Sequence, residues 1–361
     1  IRVALSIGDY DSADSHLGAY HLIITTYEKA DSLLRHHAPW LGDVGHVVVD
    51  EIHYIDDAKR GPVLEMLLAI LRDKLPGRQF LALSATIGNV EEIASWLDAD
   101  YVYDEWRPVP LREAVYKSGR LYFSDGEARR VRDEGGAVPS LVLDTLREGG
   151  QALVFASSRR RAVSLARALA EKTRSHVDRD TARSYAEKLA RASESRELAS
   201  TLGSLVSSGV SFHHAGLGYS ERRIIEEAFR KGAIKAIVAT PTLGAGVNLP
   251  ARRVILDSYT RYEAGLGRVP IKAMEYKQFA GRAGRPGYDE YGEAVLIASP
   301  RDDVEELMEQ YIFSGPEPIW SKLGTQAALR SHVLASIASH GADTRDKILG
   351  ILSKTLYASQ Y

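Results

Sequence analysis

No cysteine occurs in the 361 residues. That excludes disulfides and thiolate metal sites and suits a reducing, cytoplasmic setting. No apolar run is long enough to span a bilayer and no signal peptide is visible, so no membrane partner is expected. Excess charge is lacking too: 46 Lys and Arg against 48 Asp and Glu leave a net charge of −2. Bulk electrostatics therefore offers no footprint for nucleic acid, and any such site has to be a local groove. Internal repeats and low-complexity tracts are absent. An initiating methionine is absent as well: the chain opens on Ile1 and enters a strand-like run at 3–7, so it reads as a piece of something longer.

What is present is globular. Hydrophobic residues make up 45% and charged residues 26%, enough for two or three domains with real cores. Short apolar runs at Leu22–Thr25, 47–49, 80–83, Ala152–Phe155, Ala236–Ala239 and 254–256 read as buried strands. Amphipathic stretches such as 63–72, 162–170 and 221–230 read as helices between them. The alternation predicts an α/β fold, with parallel sheets covered by helices on both faces. It breaks at "DEWRPVPLRE" (104–113), where two prolines mark a crossing between domains, and resumes at Ala152. Residues 172–205 form a polar helical insertion. After "FSGPEPIW" (313–320) the sequence turns helical and stays so to Tyr361.

Three stretches carry chemistry. In "GHVVVDEIHYID" (45–56) an apolar run delivers two adjacent carboxylates, Asp50 and Glu51, and then His53. Like charges side by side call for a cation, and the carboxyl end of a parallel strand is where α/β proteins bind ligands. In "LALSATIGN" (81–89) a second strand ends in Ser84 and Thr86, two hydroxyls that serve either the same crevice or a helix cap. In "EYKQFAGRAGRPG" (275–287) the spacing of Gln278, Arg282 and Arg285 puts all three on one helical face. Pro286 ends that helix, and Gly281 and Gly284 admit a backbone or a phosphate. No acid stands close by in sequence to neutralise the two guanidiniums, which invites a phosphate. Adjacent histidines in "FHHAGL" (212–217) lack a third ligand at suitable spacing, so a metal site there is not expected.

The set "DEIH", "SAT" and "QFAGRAGRPG", in this order, resembles motifs II, III and VI of superfamily 2 helicases, the DEAD/DEAH-box kind. "TTYEKADSLLR" (25–35) resembles motif Ib, "LVFASSRR" (153–160) motif IV and "ATPTLGAGVNLPA" (239–251) motif V. "FHHAGL" and "TYEKADSLLR" are similar to the Ski-like branch, and within it to the archaeal Hjm-type fork DNA helicases. The resemblance implies two RecA-like lobes that clamp ATP: a partial lobe at 1–107, a second lobe at 108–312, and a partial winged-helix domain at 313–361. It implies Asp50 for Mg2+ with ATP, Glu51 as the water-orienting base, and Gln278, Arg282 and Arg285 about the γ-phosphate. His53 would couple the nucleotide to Ser84, Thr86 and motif VI, or else is a satisfied core histidine. Gly246 and Asn248, in motif V, would approach the nucleotide.

The resemblance also gives a nucleic-acid track. Thr25 and Thr26, Arg159 and Arg160, and Thr240 and Thr242 each follow a strand, where hydroxyls, free amides or guanidiniums make phosphate sites. Simple capping is the competing reading for each. His214 lies at the same groove. The stretch 257–276 reads as a hairpin from which Tyr262 stacks on a base pair or merely packs.

One dipeptide is missing. The phosphate loop of such a lobe ends in Gly-Lys, and no Gly-Lys occurs in this sequence. The expectation is that the loop lies upstream and that this polypeptide alone does not turn over ATP. The reading is thus an ATP-dependent DNA helicase acting 3′ to 5′ on single-stranded and forked DNA. An RNA helicase of the same branch and a non-catalytic nucleic-acid-binding protein are the alternatives. Nothing demands more than a monomer.

Overall fold

In the computed structural model, residues 1–8, 13–193, 195–241, 249–263, 265, 267–339 and 341–361 are described. They form two compact units, Ile1–Tyr103 with Pro316–Tyr361, and Asp104–Gly315.

In the first unit β1 (Val3–Ser6) runs parallel to β2 (Leu22–Thr25), and α1 (Tyr27–Arg35) follows at once. Strand β3 (His46–Val49) leads to α2 (Gly61–Lys74), and β4 (Gln79–Ala82), parallel to β3, leads to α3 (Val90–Leu97). The expectation of fully buried strands fails here. Val47 and Phe80 pack against Met66, Leu67 and Ile70 of α2, and Ile23 packs beside Leu33 and Trp40. Their neighbours Leu22, Ile24, Val48 and Leu81 point the other way and are exposed. A strand places successive side chains on opposite faces, and the helices cover only one.

In the second unit β5 (Leu111–Lys117), β6 (Arg120–Phe123) and β7 (Ala128–Arg130) form an antiparallel meander that the sequence reading missed. Then come α4 (Ala137–Arg147), β8 (Ala152–Phe155), α5 (Arg159–Thr173), α6 (Arg179–Ala192), α7 (Arg196–Val206), β9 (Val210–His213), α8 (Tyr219–Arg230) and β10 (Ala236–Ala239). Strand β11 (Arg253–Leu256), the hairpin of β12 (Thr260–Glu263) and β13 (Gly267–Pro270), α9 (Ala273–Ala280), β14 (Gly292–Ile297) and α10 (Val304–Leu307) complete it. The sheet order is β7-β6-β5-β14-β11-β8-β10-β9. Strands β8 to β11 are buried along their whole length, as continuous apolar runs between two helical layers should be. Arg253 on β11 is fully buried, and its charge is met by Glu293 of β14 (2.6 Å) and Asp144 of α4 (2.8 Å).

The last segment carries α11 (Gln326–Ser339), α12 (Arg345–Leu352) and α13 (Leu356–Gln360). It clusters into one compact unit with residues 1–103. The reason is polar as well as apolar. Asn89 donates to the carbonyl of Ile319 (3.0 Å), Trp96 Nε1 donates to the carbonyl of Lys354 (2.9 Å), and Leu323 enters the α1–α2 core.

Candidate functional site

The pairing of β3 with β4 runs on past both strands. The Leu83 amide donates to the Val49 carbonyl (2.8 Å) and the Ile52 amide to the Leu83 carbonyl (2.9 Å). This register brings Asp50 and Glu51 alongside the segment Ser84, Ala85, Thr86. Asp50, Glu51, Ser84 and Thr86 are all exposed at this strand edge. Glu51 adopts a left-handed backbone, φ 54°, a conformation that costs a non-glycine residue about 1–3 kcal/mol. The peptide before it is pinned at both ends. Its N–H donates to Asp50 Oδ1 (3.0 Å), and its carbonyl accepts from the Tyr27 hydroxyl.

His53 is buried, and its Nδ1 accepts the Ala85 amide at 3.2 Å. An imidazole that accepts at Nδ1 carries its proton on Nε2. Burial holds its pKa below the usual histidine value, against the opposing pull of Asp50. The histidine of "DEIH" is therefore joined to the backbone of "SAT". Tyr27 sits at the start of α1, where burial above all pushes its pKa up to about 12, so the phenol is a donor at neutral pH. The Arg60 guanidinium lies 5.4 Å from the Tyr27 ring centre and 4.7 Å from that of Tyr54. Thr26 caps α1 through the Lys29 amide (3.2 Å), so capping is a use its hydroxyl has here. Thr25 precedes it, half-buried. Tyr27 and Arg60 escaped the sequence reading. The one signal for Tyr27 was its place directly after the two threonines.

Among the described residues no cluster of three or more His, Cys, Asp or Glu could hold a metal ion. Asp50 and Glu51 fit a different donor set. Mg2+ keeps most of its water shell and takes one or two carboxylates with phosphate oxygens.

In the second unit Gln278 lies on α9, but the helix ends at Ala280. The single helical face expected for Gln278, Arg282 and Arg285 does not exist, and Pro286 is not what stops the helix. Arg282 stands in the turn beyond it. There the Ala251 amide donates to the Arg282 carbonyl (3.0 Å) and the Gly284 amide donates to the Ala251 carbonyl (2.7 Å). This bridge ties the end of the "ATPTLGAGVNLPA" stretch to the arginine loop. Arg107 closes the loop from outside, donating to the carbonyls of Gly281 (3.3 Å) and Ala283 (3.1 Å). Gly284 has φ +93°, and a Cβ on it would lie 2.6 Å from Val109 Cγ1, so the backbone it admits is this chain's own.

Arg285 does have an acidic neighbour, contrary to the sequence reading. Its Nε and Nη2 grip both carboxylate oxygens of Asp289, and Nη1 donates to Gln151 Oε1 (2.7 Å). An arginine and an acid four residues apart were visible in "RPGYD", but the proline and glycine between them masked the pair.

The carboxyl ends of β8, β9 and β10 are neighbours. Ser158 caps α5 through the Arg161 amide (3.2 Å), which leaves Arg159 and Arg160 exposed on the first turn. Arg161 is held by Asp257 at 2.7 and 2.8 Å. His214 stacks on Phe212 and accepts the Gly216 amide (3.1 Å). Its pKa is lowered by burial and then by the charge of Arg159. Thr240 is buried, with its amide on the His213 carbonyl (3.2 Å). Tyr262, opposite Arg268 in the hairpin, is 77% exposed. Thr242, Gly246 and Asn248 lie outside the described residues.

Comparison with known proteins gives two family matches and several relatives. A DEAD/DEAH box helicase profile matches residues 1–93, and a helicase conserved C-terminal domain profile matches residues 137–287. The chain is 50% identical over 365 residues to the ATP-dependent DNA helicase Hel308 of Caldivirga maquilingensis, covering 100% of this chain and 48% of that protein. It is 48% identical over 362 residues to that of Pyrobaculum calidifontis, covering 100% of this chain and 51% of the relative. Against that of Methanocella arvoryzae the identity is 46% over 364 residues, covering 100% and 49%. The chain thus spans about half the length of these relatives. No helix among the described residues is long and apolar enough to cross a membrane. With the acidic pair and His53 on one unit and the arginine loop on the other, both within the matched segments, the chain belongs to the superfamily 2 DEAD/DEAH-box helicases.

Proposed function

We propose that this chain supplies the ATP-hydrolysing and strand-tracking residues of an ATP-dependent DNA helicase. The observation that carries the reading is the bond from the Ala85 amide to His53 Nδ1, which makes one unit of the acidic pair and the hydroxyl segment. Asp50 would hold the Mg2+ brought in with ATP, which would supply charge neutralisation for the transferring phosphate. Glu51 orients the attacking water. Gln278 and Arg282 meet the γ-phosphate, and Arg285 joins them on exchanging its bond to Asp289 for one to phosphate. Gly246 and Asn248 complete the nucleotide contacts, and Ser84 and Thr86 transmit the state of the acidic pair.

Thr25, Thr26, Arg159, Arg160, His214, Thr240 and Thr242 follow the phosphate backbone, a mode of binding that is independent of sequence and weakened by salt. Tyr262 stacks on the last base pair of a fork. DNA, single-stranded or forked, is the substrate favoured over RNA, because the relatives are named as DNA helicases. Movement is 3′ to 5′, the acting species is a monomer in the cytoplasm, and residues 313–361 open a winged-helix domain.

The test is Glu51→Gln in the full-length protein, assayed on matched DNA and RNA forks. Hydrolysis should fall by roughly 10²- to 10⁴-fold while ATP still binds. Wild-type unwinding of the RNA fork alone would transfer the activity to RNA, and hydrolysis undiminished in the variant would remove Glu51 from the mechanism.

A further inference from the structure

We propose that Tyr27 is a positioning residue through which nucleic acid held at Thr25 and Thr26 sets the geometry of Asp50 and Glu51. This rests on the helicase reading and adds to it a route between its two ligands.

The route is short and continuous within one unit. Thr26 is the N-cap of α1 and Tyr27 its first residue. Contact with a phosphate at the two threonines therefore acts on the turn that carries the Tyr27 phenol. That phenol donates to the carbonyl of Asp50, the oxygen of the peptide that joins Asp50 to Glu51. The other end of the same peptide is fixed by Asp50 Oδ1. Glu51 directly after it is held in the small left-handed region, φ 54°, so the orientation of this peptide bears on where its carboxylate points.

A second tie starts from the same turn and ends on the far side of Glu51. Arg60 lies 3.5 Å from Glu28, the next residue of α1, and stacks on Tyr27 and on Tyr54. Tyr54 belongs to the helical turn Ile52–Asp56, which also carries His53. The first turn of α1 thus holds the backbone before Glu51 through a hydroxyl and reaches the Tyr54 ring after it through a guanidinium. A ring needed only for packing would satisfy the stack without the hydroxyl, so the two roles separate chemically.

Tyr27→Phe makes that separation. It keeps the ring beneath Arg60 and deletes one donor. In the full-length protein, ATP hydrolysis is measured with and without single-stranded oligodeoxythymidine, together with KM for ATP and Tm. The ratio of stimulated to unstimulated kcat should fall roughly 5-fold or more in Tyr27→Phe, with KM and Tm near wild type. A variant stimulated as strongly as wild type overturns the proposal and leaves the helicase reading standing. A parallel loss of both rates with a lower Tm means that the tyrosine only holds the fold, and also overturns it. A wild type that DNA does not stimulate sinks both.

Discussion

Arg285 and Asp289 form a closed pair. Nε donates to Oδ2 at 2.8 Å, Nη2 to Oδ1 at 2.6 Å, and the Arg285 amide also donates to Oδ2 at 2.9 Å. The carboxylate thus accepts three bonds from one residue and clamps the loop that follows α9. With Gln151 on the remaining nitrogen, the guanidinium side chain is only 19% exposed.

Asp289→Ala should therefore lower the stability of the second unit by about 3 kcal/mol, because it strands a largely desolvated charge rather than merely deleting a contact. Asp289→Asn keeps the shape and one acceptor and should cost less, about 1–2 kcal/mol. Urea titration of both variants checks the order. Equal midpoints for Asp289→Ala and wild type would mean that the pair contributes nothing.

His213 gives the second unit a pH dependence. Its Nε2 lies 3.0 Å from Glu226 Oε1, and its Nδ1 is buried with no hydrogen-bond partner among the described residues. Protonating Nδ1 would bury an unmet N–H. Burial accordingly holds the pKa below 6.5, with Glu226 opposing and Arg222 and His214 assisting. The sign follows from proton counts. Below about pH 6.5 the unfolded chain binds a proton that the folded chain refuses, so stability is full above that value and falls as the pH drops toward the folded pKa. The slope contributed is at most about 1.4 kcal/mol per pH unit. Melting curves between pH 7.5 and 5.5 should show His213→Gln losing less stability than wild type on acidification.

Much of this was legible in the residues. Strands β8 and β10, and residues 254–256 of β11, announce themselves as short runs with no polar interruption, and the acidic pair sits at the strand end where the sequence put it. What escaped depended on partners distant in sequence. The spacing of Gln278, Arg282 and Arg285 is helical, yet a bridge between Ala251 and Ala283 takes the chain out of the helix first. A pairing with residues thirty positions away overrode a local period. The strands of the first unit failed for a related reason. Val47 and Val48 are chemically equal, and only the position of α2 decides which is covered. The bond from Tyr27 to Asp50 joins residues whose types carry no hint of each other.

Glu65 shows how the final segment is held. It is a fully buried carboxylate in the middle of α2, and it accepts from Ser321 Oγ at 2.6 Å and from the Tyr357 amide at 2.7 Å. Both donors come from beyond residue 315, so one side chain fastens that segment at two points. Glu65→Ala leaves both donors unmet and opens a cavity, and should cost about 2–5 kcal/mol. Hydrogen exchange at the Tyr357 amide should quicken with it. Burial raises the carboxyl pKa above 4.5 while the two bonds oppose the rise. Between the folded pKa and about pH 4.5 the folded chain holds a proton that the unfolded chain releases, so this group favours folding increasingly as the pH falls, the reverse of His213. Glu65→Gln carries no such proton. The stability of wild type relative to Glu65→Gln should therefore grow as the pH falls from neutral toward 4.5 in parallel urea titrations, and a difference that shrinks on that approach would show that the carboxylate is stabilised, not penalised, by its burial.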